Sequence, residues 1–253
     1  MEDDLRVRTD AHGEPTLLLV HGMGATGDVW DGLRELLVDR WPGRWMVPDL
    51  PGHGGSEALP EYSFESLATS LAKLVAGAGP VVVLGHSLGG VLGLTLAQQR
   101  YGVQVDAVIG LGIKVAWTDD ELAKVAALAA RPVTFFDTRA AAADRYLRVS
   151  GLAGLFEPAD DAVSSGLRTV DGQWRLAMDP GVFGVGAPDM PALLAGTRAR
   201  VVLARGEHDP MVTEDQLRRL SPSVVSLPGL GHNAHVEDPA AVLGLLEDHL
   251  PGR

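Results

Sequence analysis

The chain has 253 residues, 46% of them hydrophobic and 21% charged, which is enough apolar material for one sizeable domain with a packed core. Its net charge of −12 argues against nucleic acid or an anionic membrane as a partner, because both bind basic surfaces. With no cysteine, the chain cannot form disulfides, use a thiolate nucleophile or bind a metal through thiolates.

The chain start is acidic and carries no apolar run, so we expect no secretory signal over residues 1–4. No stretch approaches the roughly 18 consecutive apolar residues that a membrane span needs. We therefore expect a cytoplasmic enzyme that acts on a small molecule. The sequence leaves its oligomeric state, monomer or dimer, open.

The first part of the chain alternates short apolar strands with amphipathic helices. We predict strands over 5–9, 16–20, 45–47, 81–84 and 105–111, a turn over 10–14, and helices over 28–40, 64–75 and 91–100. Such alternation predicts a mostly parallel sheet covered by helices on both faces. Ligands bind at the carboxyl ends of such strands, and His21, Asp49 and Ser87 each follow a predicted strand.

The alternation breaks between residues 114 and 191. Alanine-rich stretches predict helices over 119–130 and 140–149, a short helix is predicted over 163–167, and 179–191 reads as a loop. The one weak strand pattern lies at 133–136. We predict that 114–191 form a helical cap over the strand edge, with 1–113 and 192–253 as the core. The alternative is a set of ordinary helices packed on the sheet.

The strand and helix alternation resumes near residue 200. We predict strands over 200–204 and 224–227 and helices over 213–220 and 239–250. Asp209 and His232 follow these two strands, which places both side chains at the same edge as Ser87.

Residues 85–89 read Gly-His-Ser-Leu-Gly between a predicted strand and a predicted helix. In a G-x-S-x-G turn of this kind the serine is exposed in a strained backbone conformation, and the glycines avoid collisions with the neighbouring strand and helix. The N–H of Leu88 and the positive end of the helix point at the space above the serine. This geometry suits a nucleophile that attacks a carbonyl, although a plain tight turn with an exposed serine is the alternative.

A serine nucleophile needs a base, and the base needs an acid that orients it. Asp209 and His232 both lie downstream of Ser87, and the order Ser, Asp, His after successive strands matches the α/β-hydrolase arrangement. The chain resembles the small, serine esterase-like branch of this family. The matching segments are His21-Gly22-Met23-Gly24, residues 49–56, residues 85–90, residues 206–209, and Gly231-His232 with residues 237–239 behind it.

The resemblance implies a mostly parallel eight-stranded α/β sheet flanked by helices, and we expect the helical cap to be inserted after strand 6 of this sheet. It also implies that Ser87 is the nucleophile, His232 the base and Asp209 the acid. The backbone N–H groups of Met23 and Leu88 would form the oxyanion hole. The predicted cap itself lies outside the resemblance.

Each catalytic residue has a competitor nearby. Glu207 is the alternative acid and His235 the alternative base, while motif position favours Asp209 and His232. We predict that His21, His53 and His86 organise loops through hydrogen bonds. No metal-ligand spacing occurs around His208 and Asp209, so we predict no metal and no cofactor.

A serine at position 87 implies acyl-enzyme chemistry, and a carboxylic ester is the predicted substrate. A thioesterase, a C–C bond hydrolase or a cofactor-free perhydrolase on the same triad remains open, as does a non-catalytic ligand-binding protein. We predict that Trp117, Phe136 and Trp174 contact the substrate, although such aromatics are more often part of the packed core of a cap. Three arginines could receive a substrate carboxylate or else face solvent: Arg139, Arg145 and Arg148.

Overall fold

A computed structural model describes residues 5–10 and 13–247. The strands are Val7–Thr9 (β1), Thr16–Val20 (β2), Trp45–Pro48 (β3), Val81–His86 (β4), Val105–Leu111 (β5), Leu167–Val170 (β6), Gln173–Leu176 (β7), Arg200–Gly206 (β8) and Val224–Leu227 (β9). In the described residues the main sheet has seven strands, in the order β1-β3-β2-β4-β5-β8-β9. β1 pairs antiparallel with β3, and all other neighbours in this sheet are parallel.

Helices cover both faces of the main sheet. The helices of the described residues are Asp31–Leu37 (α1), Phe64–Leu74 (α2), Leu88–Leu96 (α3), Asp119–Ala129 (α4), Arg139–Ser150 (α5), Met190–Gly196 (α6), Glu214–Arg218 (α7), Ala234–Glu237 (α8) and Pro239–Glu247 (α9). Alternate residues of β2 enter two separate cores: Leu17 and Leu19 pack with residues of α1, α5 and α9, whereas Leu18 and Val20 pack with residues of α2 and α3. This burial on both faces explains the continuous apolar run of β2. No helix within the described ranges is long and apolar enough to cross a membrane.

The predicted α/β architecture is confirmed, with two corrections. The described residues form seven strands in the main sheet rather than eight, and the segment 114–191 follows the fifth strand rather than the sixth. The helix predicted over 28–40 divides into a 3-10 turn at Gly27–Trp30 and the shorter α1. Residues 1–4, part of the predicted turn at 10–14, and the end of the helix predicted over 239–250 lie outside the described residues.

The segment 114–191, called the insert below, joins β5 to β8 without adding a strand to the main sheet. Both alanine-rich helices are confirmed as α4 and α5, and the stretch before β6 is a 3-10 helix at Asp161–Gly166. The strand suspected at 133–136 is absent from the described residues. Phe136 instead forms an isolated bridge with Trp174.

The sequence prediction missed the antiparallel hairpin of β6 and β7 in the insert. Its turn is Asp171-Gly172, and both residues have positive φ values, 50° and 81°. Asp-Gly is a preferred pair for this kind of two-residue hairpin turn. The predicted loop at 179–191 also contains a 3-10 helix at Pro180–Val185 and the start of α6.

The insert is attached to loops at the carboxyl ends of the strands. Arg168 of the hairpin donates from Nη2 to the carbonyl of Gly54 over 2.6 Å, in the loop after β3. Asn233, which follows His232, donates from Nδ2 to the carbonyl of Gly151 at the end of α5, over 2.9 Å. These contacts place the insert beside the loops in which the candidate site residues lie.

Candidate active site

Ser87 occupies a sharp turn between β4 and α3. Its φ of 49° and ψ of −113° are strained values for a residue with a side chain, and its N–H donates to the carbonyl of Leu111 over 2.7 Å. The flanking glycines are sterically required. A Cβ at Gly85 would lie 2.2 Å from the carbonyl oxygen of Gly89, and one at Gly89 would lie 2.1 Å from that of Val20.

His232 and Asp209 meet at the ends of β9 and β8. His232 Nδ1 lies 3.0 Å from both carboxylate oxygens of Asp209, whose side chain is fully buried while that of His232 is 20% exposed. Asp209 Oδ1 also accepts from the N–H of Met211 over 2.8 Å. With Nδ1–H donating to the carboxylate, Nε2 is left unprotonated and able to accept a proton.

Ser87 is connected to this pair through His86. In the described part of the chain, no hydrogen bond joins the Ser87 hydroxyl to His232. The ring of His86 lies 4.6 Å from that of His232, centroid to centroid, and His86 is adjacent to Ser87 in the turn. Catalytic hydrogen bonds are often long or poorly aligned without substrate and tighten when it binds. The complete triad therefore stays a prediction.

Both predicted oxyanion-hole residues lie in the expected loops. Leu88 is the first residue of α3, so its N–H has no acceptor within the helix. Met23 lies in the loop after β2, where the N–H of the next residue, Gly24, donates to His53 Nε2 over 3.1 Å. Their role in binding an oxyanion stays a prediction.

The predicted loop-organising role of His21 and His53 is confirmed by their hydrogen bonds. His21 Nε2 accepts from the N–H of Leu50 over 2.9 Å, and its Nδ1 donates to the carbonyl of Gly22 over 2.8 Å. Burial lowers the pKa of His21 below its usual value and the pKa of His53 to about 3. Both rings are therefore neutral and structural near pH 7.

His235 is the middle ring of a column of three rings, tilted by 38° against each neighbour, that the sequence did not reveal. Its ring lies 4.4 Å from the rings of both Trp30 and His86, and it is only 1% exposed. Burial lowers its pKa to about 3. Neither ring nitrogen has a partner within the described residues, so no carboxylate orients this ring as Asp209 orients His232. The geometry favours His232 as the base.

Glu207, the alternative acid, bonds to a backbone group and not to the histidine. Its Oε2 accepts from the N–H of Gly229 over 2.8 Å and thereby supports the loop after β9. The geometry favours Asp209 as the acid.

The predicted substrate-contacting residues lie in different places. Phe136 lines a cavity of about 80 Å³ within the insert, and Trp174 is paired to Phe136 through two backbone hydrogen bonds of 2.7 and 2.8 Å. Trp117 is not part of the cavity wall and donates from Nε1 to the carbonyl of Lys114 over 3.1 Å. Contact of these side chains with substrate remains a prediction.

Comparison with known proteins identifies a matching family and several similar proteins. The sequence profile described as "Alpha/beta hydrolase family" matches residues 17–245. Over 98 residues the chain is 36% identical to the pimeloyl-(acyl-carrier protein) methyl ester esterase of Methylococcus capsulatus, covering 39% of this chain and 37% of that protein. Over 116 residues it is 36% identical to lipase LipV of Mycobacterium tuberculosis, covering 45% and 43%. The matched regions thus span less than half the length of these curated relatives.

A solved structure shares the fold over almost the whole chain. The crystal structure of E-2-(acetamidomethylene)succinate hydrolase matches with a TM-score of 0.77 and 24% identity, covering 96% of this chain and 94% of that one. At this level of identity, the similarity concerns the fold alone.

Proposed function

The chain belongs to the alpha/beta hydrolase family, and on that premise we propose that it is a serine hydrolase that cleaves a carboxylic ester of a small molecule through an acyl-enzyme intermediate. The matching relatives named as a methyl ester esterase and a lipase support an ester as the bond that is cleaved. The observation that carries the proposal is the buried carboxylate of Asp209 against His232 Nδ1, beside the strained turn of Ser87.

In the proposed reaction, the Ser87 oxygen attacks the ester carbonyl carbon while His232 Nε2 takes the hydroxyl proton. Asp209 stabilises the imidazolium, and the N–H groups of Met23 and Leu88 bind the oxyanion. The tetrahedral intermediate collapses, and the leaving alkoxide takes the proton from His232. Water then attacks the acyl-serine ester with His232 again as base, which releases the acid and restores the serine.

Labelling with a fluorophosphonate probe tests the nucleophile directly. We expect one modified residue, Ser87, and loss of labelling in Ser87→Ala. Both Ser87→Ala and His232→Ala should lose about 10³-fold or more of the turnover of p-nitrophenyl acetate while keeping a native circular dichroism spectrum. Ser221→Ala, which removes a serine remote from the turn, is the matched control and should label and turn over as wild type does.

Two results would contradict the proposal. Near wild-type turnover by Ser87→Ala would remove the nucleophile. A folded wild-type protein that neither labels nor hydrolyses any ester would favour the ligand-binding alternative.

A further inference from the structure

The cavity inside the insert has an unusual wall. It is lined mainly by apolar side chains of α4, α5 and β7 and of the segments beside them, among them Leu128, Phe136, Leu176 and Phe183. Two guanidinium groups, those of Arg131 and Arg145, interrupt this apolar wall, and no Asp or Glu of the described residues lines it. The wall therefore combines an apolar surface with positive charge.

Arg145 differs from the other arginines of α5. Arg139 donates to the carbonyl of Pro158 over 2.5 Å and to Ser164 Oγ over 3.0 Å, so its hydrogen bonds serve the structure of the insert. Arg148 is exposed and does not line the cavity. Arg145 is partly buried in the wall, and within the described ranges its guanidinium makes no hydrogen bond or ion pair.

An unpaired guanidinium in an apolar wall is a site for an anion. The Arg145 nitrogens keep some contact with solvent, and a carboxylate that enters the cavity gains charge-assisted, often bidentate hydrogen bonds from them. The chain has a net charge of −12, so a shortage of carboxylates does not explain why Arg145 has no acidic partner. The position of Arg145 thus points to a negative group that comes from outside the chain.

One residue of the cavity wall contacts the loop after β2, which carries Met23. Val149, one turn after Arg145 on the same side of α5, also lines the cavity. Its side chain lies against Gly24, where an added Cβ would be 2.8 Å from Val149 Cγ1. Gly24 follows Met23 directly. The distance along α5 from this contact to Arg145 is four residues, roughly 6 Å.

We propose that Arg145, with Arg131 beside it, binds a carboxylate at the far end of the ester substrate. The inference rests on the proposed esterase function and narrows its substrates to half-esters of short dicarboxylic acids. The small volume of the cavity, about 80 Å³, favours a short chain at the carboxylate end of the substrate. Neutral esters of the same length leave the guanidinium unpaired and are poorer substrates.

The test compares two substrates that differ in charge alone, the monomethyl ester of adipic acid and the methyl ester of adipamic acid. We expect wild-type kcat/KM to be about 10- to 100-fold higher for the acid, the range of one charge-assisted hydrogen-bonding group. Arg145→Gln should bring the ratio close to one. Arg148→Gln, which removes an exposed arginine from the same helix, should keep the wild-type ratio.

A binding measurement separates this inference from the proposed reaction. With Ser87→Ala protein, adipate affinity is measured by ligand-observed NMR, and adding Arg145→Gln should weaken it by about tenfold or more. If wild type hydrolyses no ester but adipate binds through Arg145, the proposed reaction fails and the anion site stands. If Arg145→Gln does not fold, Arg145→Lys is used instead. It keeps the positive charge but lacks the planar guanidinium that bonds a carboxylate through two N–H groups, so it should bind adipate more weakly than wild type. Equal ratios in wild type and the Arg145 variants, or unchanged adipate affinity, would overturn the inference.

Discussion

His86 donates a hydrogen bond from Nε2 to the main-chain carbonyl of His232 over 3.0 Å. Burial holds the pKa of His86 well below its usual value, so the ring is neutral with its proton on Nε2. The residue that precedes the strained serine therefore holds the backbone of the loop that carries the candidate base. Ser87 and His232 are positioned relative to one another through this contact, although no hydrogen bond between their side chains appears among the described residues.

Replacing His86 tests whether its hydrogen bond positions His232 without taking part in the reaction itself. His86→Phe removes the donor and leaves the His232 carbonyl unpaired, so we expect a kcat for p-nitrophenyl acetate lower by about tenfold and a loss of stability of about 1–3 kcal/mol. KM should change little. His86→Gln places an amide N–H near the position of Nε2 and should recover much of both losses. Urea unfolding and steady-state kinetics measure the effects, and equal behaviour of the Phe and Gln variants would argue against the hydrogen bond as the cause.

Asp209→Asn tests the assignment of the acid. The amide can still accept from the N–H of Met211, but it no longer carries the charge that stabilises the His232 imidazolium and fixes its tautomer. We expect kcat to fall by about 10⁴-fold with the fold retained. Glu207→Gln, which keeps an oxygen for the N–H of Gly229, should leave kcat near wild type. A larger loss from Glu207→Gln than from Asp209→Asn would reverse the assignment.

The parts of the fold that the sequence predicts are those dominated by local patterns. β5 and β9 have the predicted limits because each is an apolar run bounded by turn residues. α2 begins at the predicted residue, and its start is fixed locally, because the side chains of Ser63 and Ser66 bond reciprocally to backbone N–H groups. The G-x-S-x-G turn is local only in part, because Gly85 is required by the carbonyl of Gly89, whereas Gly89 is required by the carbonyl of Val20 in β2.

The features that the sequence did not predict depend on contacts between distant residues or on short patterns within a segment of another character. β6 and β7 alternate polar and apolar residues around Asp171-Gly172, and this short pattern was outweighed by the helical character of the surrounding insert. The ring column joins Trp30, His86 and His235, and no periodicity relates residues so far apart in the chain. The selection of Arg145 from the arginines of α5 likewise required the cavity to be known.

Buried His235 should make the protein sensitive to acid. The unfolded chain binds a proton at this position below a pKa near 6.5, whereas the folded chain does so only near pH 3. The stability that its neutral form contributes is complete above pH 6.5 and is lost as the pH falls toward 3. In that window the loss is about 1.4 kcal/mol per pH unit.

We therefore expect His235→Phe to flatten the pH dependence of unfolding. At pH 7 the variant should be as stable as wild type or more stable by about 1 kcal/mol, because it removes two buried nitrogens without partners. Between pH 6.5 and 5 its advantage should grow by about 2 kcal/mol. Urea unfolding at several pH values measures the difference. Parallel pH curves for the two proteins would show that His235 does not titrate on unfolding.

Two glycine-to-alanine substitutions should have opposite effects on stability. At Gly89 the added Cβ would lie 2.1 Å from the carbonyl oxygen of Val20, which is backbone of the buried β2 and cannot give way. We expect Gly89→Ala to cost more than about 3 kcal/mol or to prevent folding. At Gly244, in α9, a Cβ would meet nothing within 4 Å. Gly244→Ala should raise stability by about 1 kcal/mol through helix propensity alone.

Thermal unfolding measures both variants. An increase in stability of about 1 kcal/mol raises the Tm of a domain of this size by about 2–4 °C. The same substitution thus measures the steric collision at Gly89 in the nucleophile turn and the higher helix propensity of alanine at Gly244 in α9. A stable, fully active Gly89→Ala protein would show that the turn can open. In that case, close packing of the turn against β2 and β5 would not be the cause of the strained conformation of Ser87.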